Sequence, residues 1–324
     1  MDQLLGIDDL FEAAGRYGYL HPGYAEAHVE LGAVRHLRRS GAWLLTRPIP
    51  GSTRLDAQVG MPLLVCRDPS GLADDLAETA ALADVVSVTA RSDPLAPIGE
   101  ITLRDAFPDV VRVEAQHFVV DLPSFWPARD HRRAARRALQ RLEIDIEEAP
   151  ASRLDDWTAL DPRPGGAFSP GDPNGPADAV DHALSRTALE RRLALPGCVG
   201  ITALAEDGPV AMAVVYLAGE DAHLHQVAGS ARGDELGAPY ALFAAVVEDM
   251  AGRGLHRLDL GVAGGSDAAG AEDAARFMSG WTERTLPSWR CGRVIDRVAY
   301  DELSTQAGST GSPTFPAYRD GGSA

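Results

Sequence analysis

The sequence predicts an α/β (α+β) fold built on a mixed sheet, and three observations predict it. Period-two apolar runs alternate with helical spacing through the first third of the chain. Further on, an Asp-Gly turn and a second short turn join three runs into consecutive antiparallel strands. A long apolar helix that begins with proline then leads back into a strand.

Taken in order, Tyr24 to Arg39 has helical spacing, and AWLLTRPI, MPLLVCRD, VVSVTA and VVRVEAQHFVVDL read as strands. A helix from Gly71 to Asp84 lies between two of them. Together these set a first lobe over residues 1–122. FWPARDHRRAARRALQRLEIDIEEA, a basic helix followed by a short strand, opens a second lobe over residues 123–303. Residues 161–179 are crowded with Pro, Gly and Asp and read as irregular, either a lid over a site or a plain insertion. Ala179 to Leu193 is a helix. VGITALA and VAMAVVYL flank Glu206-Asp207-Gly208-Pro209, and Gly219-Glu220-Asp221 turns into AHLHQVA. Pro239 to Arg253 is a helix with Leu242, Phe243, Val246, Val247 and Met250 as its buried stripe, and Gly254 suits a left-handed cap. HRLDLG is then a strand, GVAGGSDAAG a loop, Asp273 to Trp281 a helix and RVIDRVAY a last strand. The Ser/Thr/Gly/Pro-rich tail, residues 304–324, reads as disordered.

At 324 residues, 45% hydrophobic and 24% charged, the chain has the composition of a globular protein. No apolar run is long enough to span a bilayer, and the acidic start MDQLLGIDDLFEAAG lacks the basic segment of a signal peptide. Cys66, Cys198 and Cys291 form no C-x-x-C pair, which predicts reduced thiols in the cytoplasm. A net charge of −17 argues against a broad nucleic-acid or membrane surface and leaves room for a local basic patch. All 30 basic residues are arginine, so no lysine serves as nucleophile, base or phosphate clamp.

Several constellations carry chemistry. In RLDLGVAGG, Asp259, Gly261 and Gly265 have the spacing that opens nucleotide and S-adenosylmethionine sites. Too few βα units follow to complete such a sheet, so a methyltransferase stands as an alternative only. His223 and His225 share a strand face, but no further ligand set lies near them, and no metal site is expected. His225 suits proton transfer near neutrality. Arg129, Arg132, Arg133, Arg136, Arg137 and Arg141 make one helix basic, as a solvated face or as a phosphate-facing patch. SARGDELGAPY, where a small-residue loop enters a helix, stands where helix N–H groups attract anions.

The order helix, hairpin, third strand, loop, helix, strand, helix, strand resembles the core of the GCN5-related N-acetyltransferase (GNAT) superfamily. More narrowly, the chain resembles its FemAB/FemX-like branch, in which two such lobes are fused. HRRAARRALQRLEIDIEEA, APYALFAAVVEDMAGRGLHRLDLG and ARFMSGWTERT carry the likeness, which spans Phe118 to Leu303 and touches the first lobe only in general shape. The resemblance implies tandem lobes, the first degenerate, with AHLHQVA and HRLDLG splayed apart in the second. It implies transfer of an acyl or aminoacyl group, from acyl-CoA or aminoacyl-tRNA as co-substrate, to the amine of a small molecule or peptide, with no tightly bound cofactor. His225, Asp259 and Tyr216 are its catalytic candidates. Gln226, Val227, Arg232, Gly237, Ala238 and Tyr240 would meet the donor. Arg132, Arg133, Arg136 and Arg276, with Trp281 beside them, would contact phosphate or carboxylate. The lid and the cleft between lobes would receive the acceptor.

Two departures bear on the donor. Where acyl-CoA enzymes of the superfamily carry Gln/Arg-x-x-Gly-x-Gly/Ala, this chain has Asp234 first and Pro239 last, an acid and a missing N–H in a pyrophosphate cradle. Where the branch has Phe-Lys, Met278 follows Phe277. The first departure tilts the expectation toward aminoacyl-tRNA. A chain lacking both features also fits a non-catalytic binding protein, whose strand gap would be plugged by side chains.

Overall fold

The computed structural model describes residues 17–79, 84–96, 98–160, 185–262 and 268–320. The chain divides into two compact units. Among the described residues, one unit holds 24–115 and 287–320, and the other holds 17–23, 116–160, 185–262 and 268–286. The division thus falls earlier than the expected boundary at 122/123, inside a strand. Residues 287–303, expected in the second lobe, belong with the first unit. The predicted lid and residues 179–184 of the predicted helix lie outside the described residues.

In the first unit, β1 (Ala33–His36), β2 (Trp43–Pro48) and β3 (Leu55–Leu64) pair antiparallel, and β4 (Val85–Ser92) lies parallel to β3. β11 (Thr285–Val294) returns antiparallel to β4, with Arg290 opposite Arg91, which is why residues 287–320 belong here. Leu44, Val59, Val88 and Phe107 fill the core with Leu72 and Leu76 of α1 (Leu72–Thr79) and Leu103 of α2 (Glu100–Ala106). Three expectations are corrected. The stretch Tyr24–Arg39 is not one helix, because Ala33–His36 pairs as an edge strand with β2. RVIDRVAY is split rather than a strand, because the Asp296 side chain accepts from the Ala299 N–H and starts a helix, Arg297–Gln306. The tail is ordered through Asp320. Phe315, Ala317 and Tyr318 are buried, Tyr318 and Ser87 share a hydroxyl hydrogen bond of 2.7 Å, and Arg319 pairs with buried Asp56 at 2.5 Å. Two aromatic anchors outweigh the polar composition of that segment.

The second unit carries the strand order β5-β10-β9-β8-β7-β6. These are β5 (Val110–Asp121, entering from the first unit), β6 (Glu143–Glu148), β7 (Cys198–Ala205), β8 (Gly208–Ala218), β9 (Asp221–Gly229) and β10 (Arg257–Val262). Neighbours are antiparallel except β9 and β10. An array of this kind, with one parallel pair, is not the parallel seven-stranded sheet expected of a methyltransferase. The basic helix is α3 (Arg129–Ala138), followed by α4 (Leu154–Ala159) and α5 (Arg186–Leu193). β9 leads into a six-residue helix, α6 (Ala231–Leu236), then α7 (Ala238–Gly252), and α8 (Ala268–Ser279) follows β10. The predicted stripe of α7 is buried against Ala222, Leu224, Leu258 and Leu260 of β9 and β10, together with Met278 and Trp281. At roughly 1.5–3 kcal/mol per buried large apolar side chain, this face supplies much of the unit's stability.

Candidate active site

β9 and β10 pair only at their starts. Arg257 lies opposite Asp221, Leu258 opposite Ala222 and Asp259 opposite His223, and among the described residues the pairing ends there. Two irregularities sit at the point of parting. In β9 the register against β8 slips between Val214–Gln226 and Val215–Leu224, leaving His225 as an extra, bulged residue. In β10 the register against β5 slips between Asp259–Val119 and Val262–His117, with Gly261 at φ +88°, a conformation open to glycine. The strands that the resemblance implies to be splayed therefore diverge past Asp259.

Strand alternation puts His223, His225 and Asp259 on the face opposite α7. Asp259 is 3% exposed. Its carboxylate accepts from His117 Nδ1 at 3.0 and 3.1 Å, from the Gly261 N–H at 2.8 Å and, more weakly, from His223 Nδ1 at 3.4 Å. Burial alone would push this carboxyl up, but His117 and His223 outweigh it and hold it well below the ordinary carboxylate range. Asp259 is thus an anion that orients imidazoles, not a proton acceptor near neutrality. Tyr19, which no sequence signal marked, packs over both strand histidines, with ring centroids 5.1 Å from His223 and 5.7 Å from His225.

His225, the first catalytic candidate, is engaged at both nitrogens. The Arg192 guanidinium donates to Nε2, so the ring proton stands on Nδ1, which meets the Tyr19 hydroxyl at 3.2 Å. In this arrangement the lone pair that a base needs is already used. Tyr216 meets the His225 ring edge to face, with centroids 5.1 Å apart, and donates its hydroxyl to the Arg192 carbonyl at 3.3 Å. Burial holds that hydroxyl well above its ordinary value, so it stays protonated. Gln226, with Trp157, Arg192, Tyr216 and His225, lines a cavity of about 10 Å³, room for about one water. Val227 packs partly buried against the core.

The loop between β9 and α7 is filled by α6. The Ser230 hydroxyl accepts from the Gly233 N–H at 3.1 Å, and Gly237 at φ +76° links α6 to α7. Pro239 offers no N–H, and the Tyr240 N–H is spent on the Gly237 carbonyl at 3.1 Å. Ala238 is buried, and exposed Arg232 pairs with Glu235 at 3.2 Å. The expected pyrophosphate cradle is therefore closed by the chain's own bonds.

The phosphate candidates lie on α3 and α8. Arg276, 68% exposed, pairs with Asp273 at 2.9 Å and Glu272 at 3.1 Å. Arg132 stacks 4.3 Å over the exposed Trp126 ring. Arg129, Arg133, Arg136 and Arg137 are exposed along α3. Trp281 belongs to an aromatic cluster around His131, whose ring lies 5.1 Å from Tyr240 and 5.3 Å from Trp281 and donates to the Phe277 carbonyl at 2.9 Å. Burial pushes the His131 imidazolium down against the Phe277 carbonyl and Asp130. Gly280 admits this ring, since a Cβ there would stand 2.0 Å from His131 Cε1. Met278, in place of the family lysine, is fully buried. Among the described residues no group of His, Cys, Asp and Glu is arranged to hold a metal, and no helix is long and apolar enough to cross a membrane.

Residues 128–279 match the family model of the acetyltransferase (GNAT) domain, so the core of this unit is a GNAT domain. The fold is one the chain shares with FemX, at a TM-score of 0.61 and 12% identity over 90% of this chain and 97% of that one. L-PGS from Bacillus licheniformis is similar at a TM-score of 0.52 and 12% identity, over 87% of this chain and 94% of that one. No curated protein matches the chain in sequence. The chain thus carries a match to the GNAT domain over residues 128–279, and its fold is similar to that of FemX.

Proposed function

We propose that the protein transfers an acyl or aminoacyl group from an activated donor to the amine of a small-molecule or peptide acceptor, in a biosynthetic role. The observation that carries this reading is the parting of β9 from β10 past Asp259. Parted strands leave backbone N–H groups without strand partners, and fixed donors of that kind stabilise the oxyanion that forms on an attacked carbonyl. Holding the amine beside that carbonyl supplies much of the remaining rate.

Aminoacyl-tRNA fits as donor better than acyl-CoA. The loop that would cradle a pyrophosphate is closed by α6, while Arg129, Arg133, Arg136 and Arg137 have no ion pair among the described residues. On a chain of net charge −17, an unneutralised arginine helix suits a polyanion. The deciding experiment incubates the purified protein with acyl-CoAs or aminoacyl-tRNAs and a pool of amines, and reads products by mass. Aminoacyl-tRNA should bind with a log–log salt slope of about −2 to −4, flattened in Arg133→Glu/Arg136→Glu. A salt-independent signal, together with thermal stabilisation by millimolar coenzyme A, would move the assignment to acyl-CoA.

A further inference from the structure

With His225 engaged and Asp259 held as an anion, the proton released by the attacking amine needs another acceptor. His117 was not singled out by its sequence context, a lone histidine within an apolar strand. It stands on β5 opposite Val262, beyond the last paired residues of β9 and β10, level with the open part of the wedge. It is 2% exposed, and both oxygens of Asp259 lie 3.0–3.1 Å from its Nδ1. A carboxylate only accepts, so this contact places the ring proton on Nδ1 and leaves Nε2 of the neutral ring with a lone pair turned away from Asp259. That Nε2 is buried and has no hydrogen-bond partner among the described residues.

A buried acceptor without a donor is destabilising and calls for an explanation. An amine N–H is the kind of donor it lacks. We propose that His117 is the catalytic proton acceptor of the transfer reaction, positioned by Asp259, which is in turn fixed by the Gly261 N–H. This inference rests on the acyl-transfer reading above. The amine nitrogen attacks the acyl carbon and the C–N bond forms, while its proton passes to His117 Nε2. The intermediate then collapses with cleavage of the ester C–O bond, or the C–S bond of a thioester. The leaving oxygen or sulfur takes the proton back from Nε2–H, which returns the ring to its starting state.

Two measurements on the intact protein test it. Nitrogen-15 spectra of the imidazoles should show Nε2 of His117 as the lone-pair nitrogen of the neutral ring; a proton on Nε2 there would overturn the proposal whether or not turnover is found. In the mass-read transfer assay, His117→Ala should lose about 10²–10⁴-fold in kcat/KM and recover in part with added imidazole. His117→Gln, which keeps a donor toward Asp259, should melt close to wild type and lose the acidic limb of the pH–rate profile. Undiminished turnover in a folded His117→Gln would sink this proposal alone. A wild type that turns over neither donor class would sink the transfer reading and this proposal with it.

Discussion

The two faces of β9 and β10 are built by neighbouring residues and behave as opposites. Ala222, Leu224, Leu258 and Leu260 enter the apolar layer under α7, where Phe243, Met278 and Trp281 complete the packing. His223, His225 and Asp259, one position over, form a buried polar row whose members depend on Tyr19, Arg192 and His117 from distant parts of the chain. The first face tolerates no charge. The second is held together by charge and hydrogen bonds, and each member is costly to remove because its partners are buried with it. Strength on one face comes from area; orientation on the other comes from directional bonds.

Three substitutions sharpen that contrast, with Met278→Lys expected to have the largest effect. It restores the family residue at a fully buried site and should cost about 3–5 kcal/mol in denaturant unfolding, because an ammonium there has no partner. A near-wild-type midpoint would show that the apolar layer opens easily at α8. Asp259→Asn comes next, at roughly 3 kcal/mol near neutral pH. The folded-state carboxyl titrates below its unfolded value of about 4, so its contribution is complete above that pH and is lost as pH falls through the folded value. The gap between wild type and Asp259→Asn should therefore close in acid unfolding; a constant gap would mean that Asp259 acts by shape alone. Smallest is Tyr19→Phe, which removes the hydroxyl 3.2 Å from His225 and should cost about 1 kcal/mol. A loss of several kcal/mol would make Tyr19 the centre of the row, not its cover.

Much of this was legible beforehand. The α7 stripe, the β7–β8–β9 meander and β10 follow from periodicity and turn chemistry, both of which act over a few residues. Alternation likewise paired His223 with His225. Tyr19 and Arg192 were invisible, because nothing local distinguishes a residue that covers a strand more than thirty positions away. RVIDRVAY misled through alternation that a single capping aspartate overrode. Residues 304–320 misled through composition, which cannot register two well-placed aromatic rings.

Within this chain, residue order alone determined which side chains share a strand face and where most strands begin and end, since those depend on backbone geometry between near neighbours. Which histidine keeps a free lone pair was decided only by tertiary structure. The carboxylate of Asp259 and the guanidinium of Arg192 come from far along the chain, and hydrogen-bond direction, not residue type, sets where each imidazole proton resides.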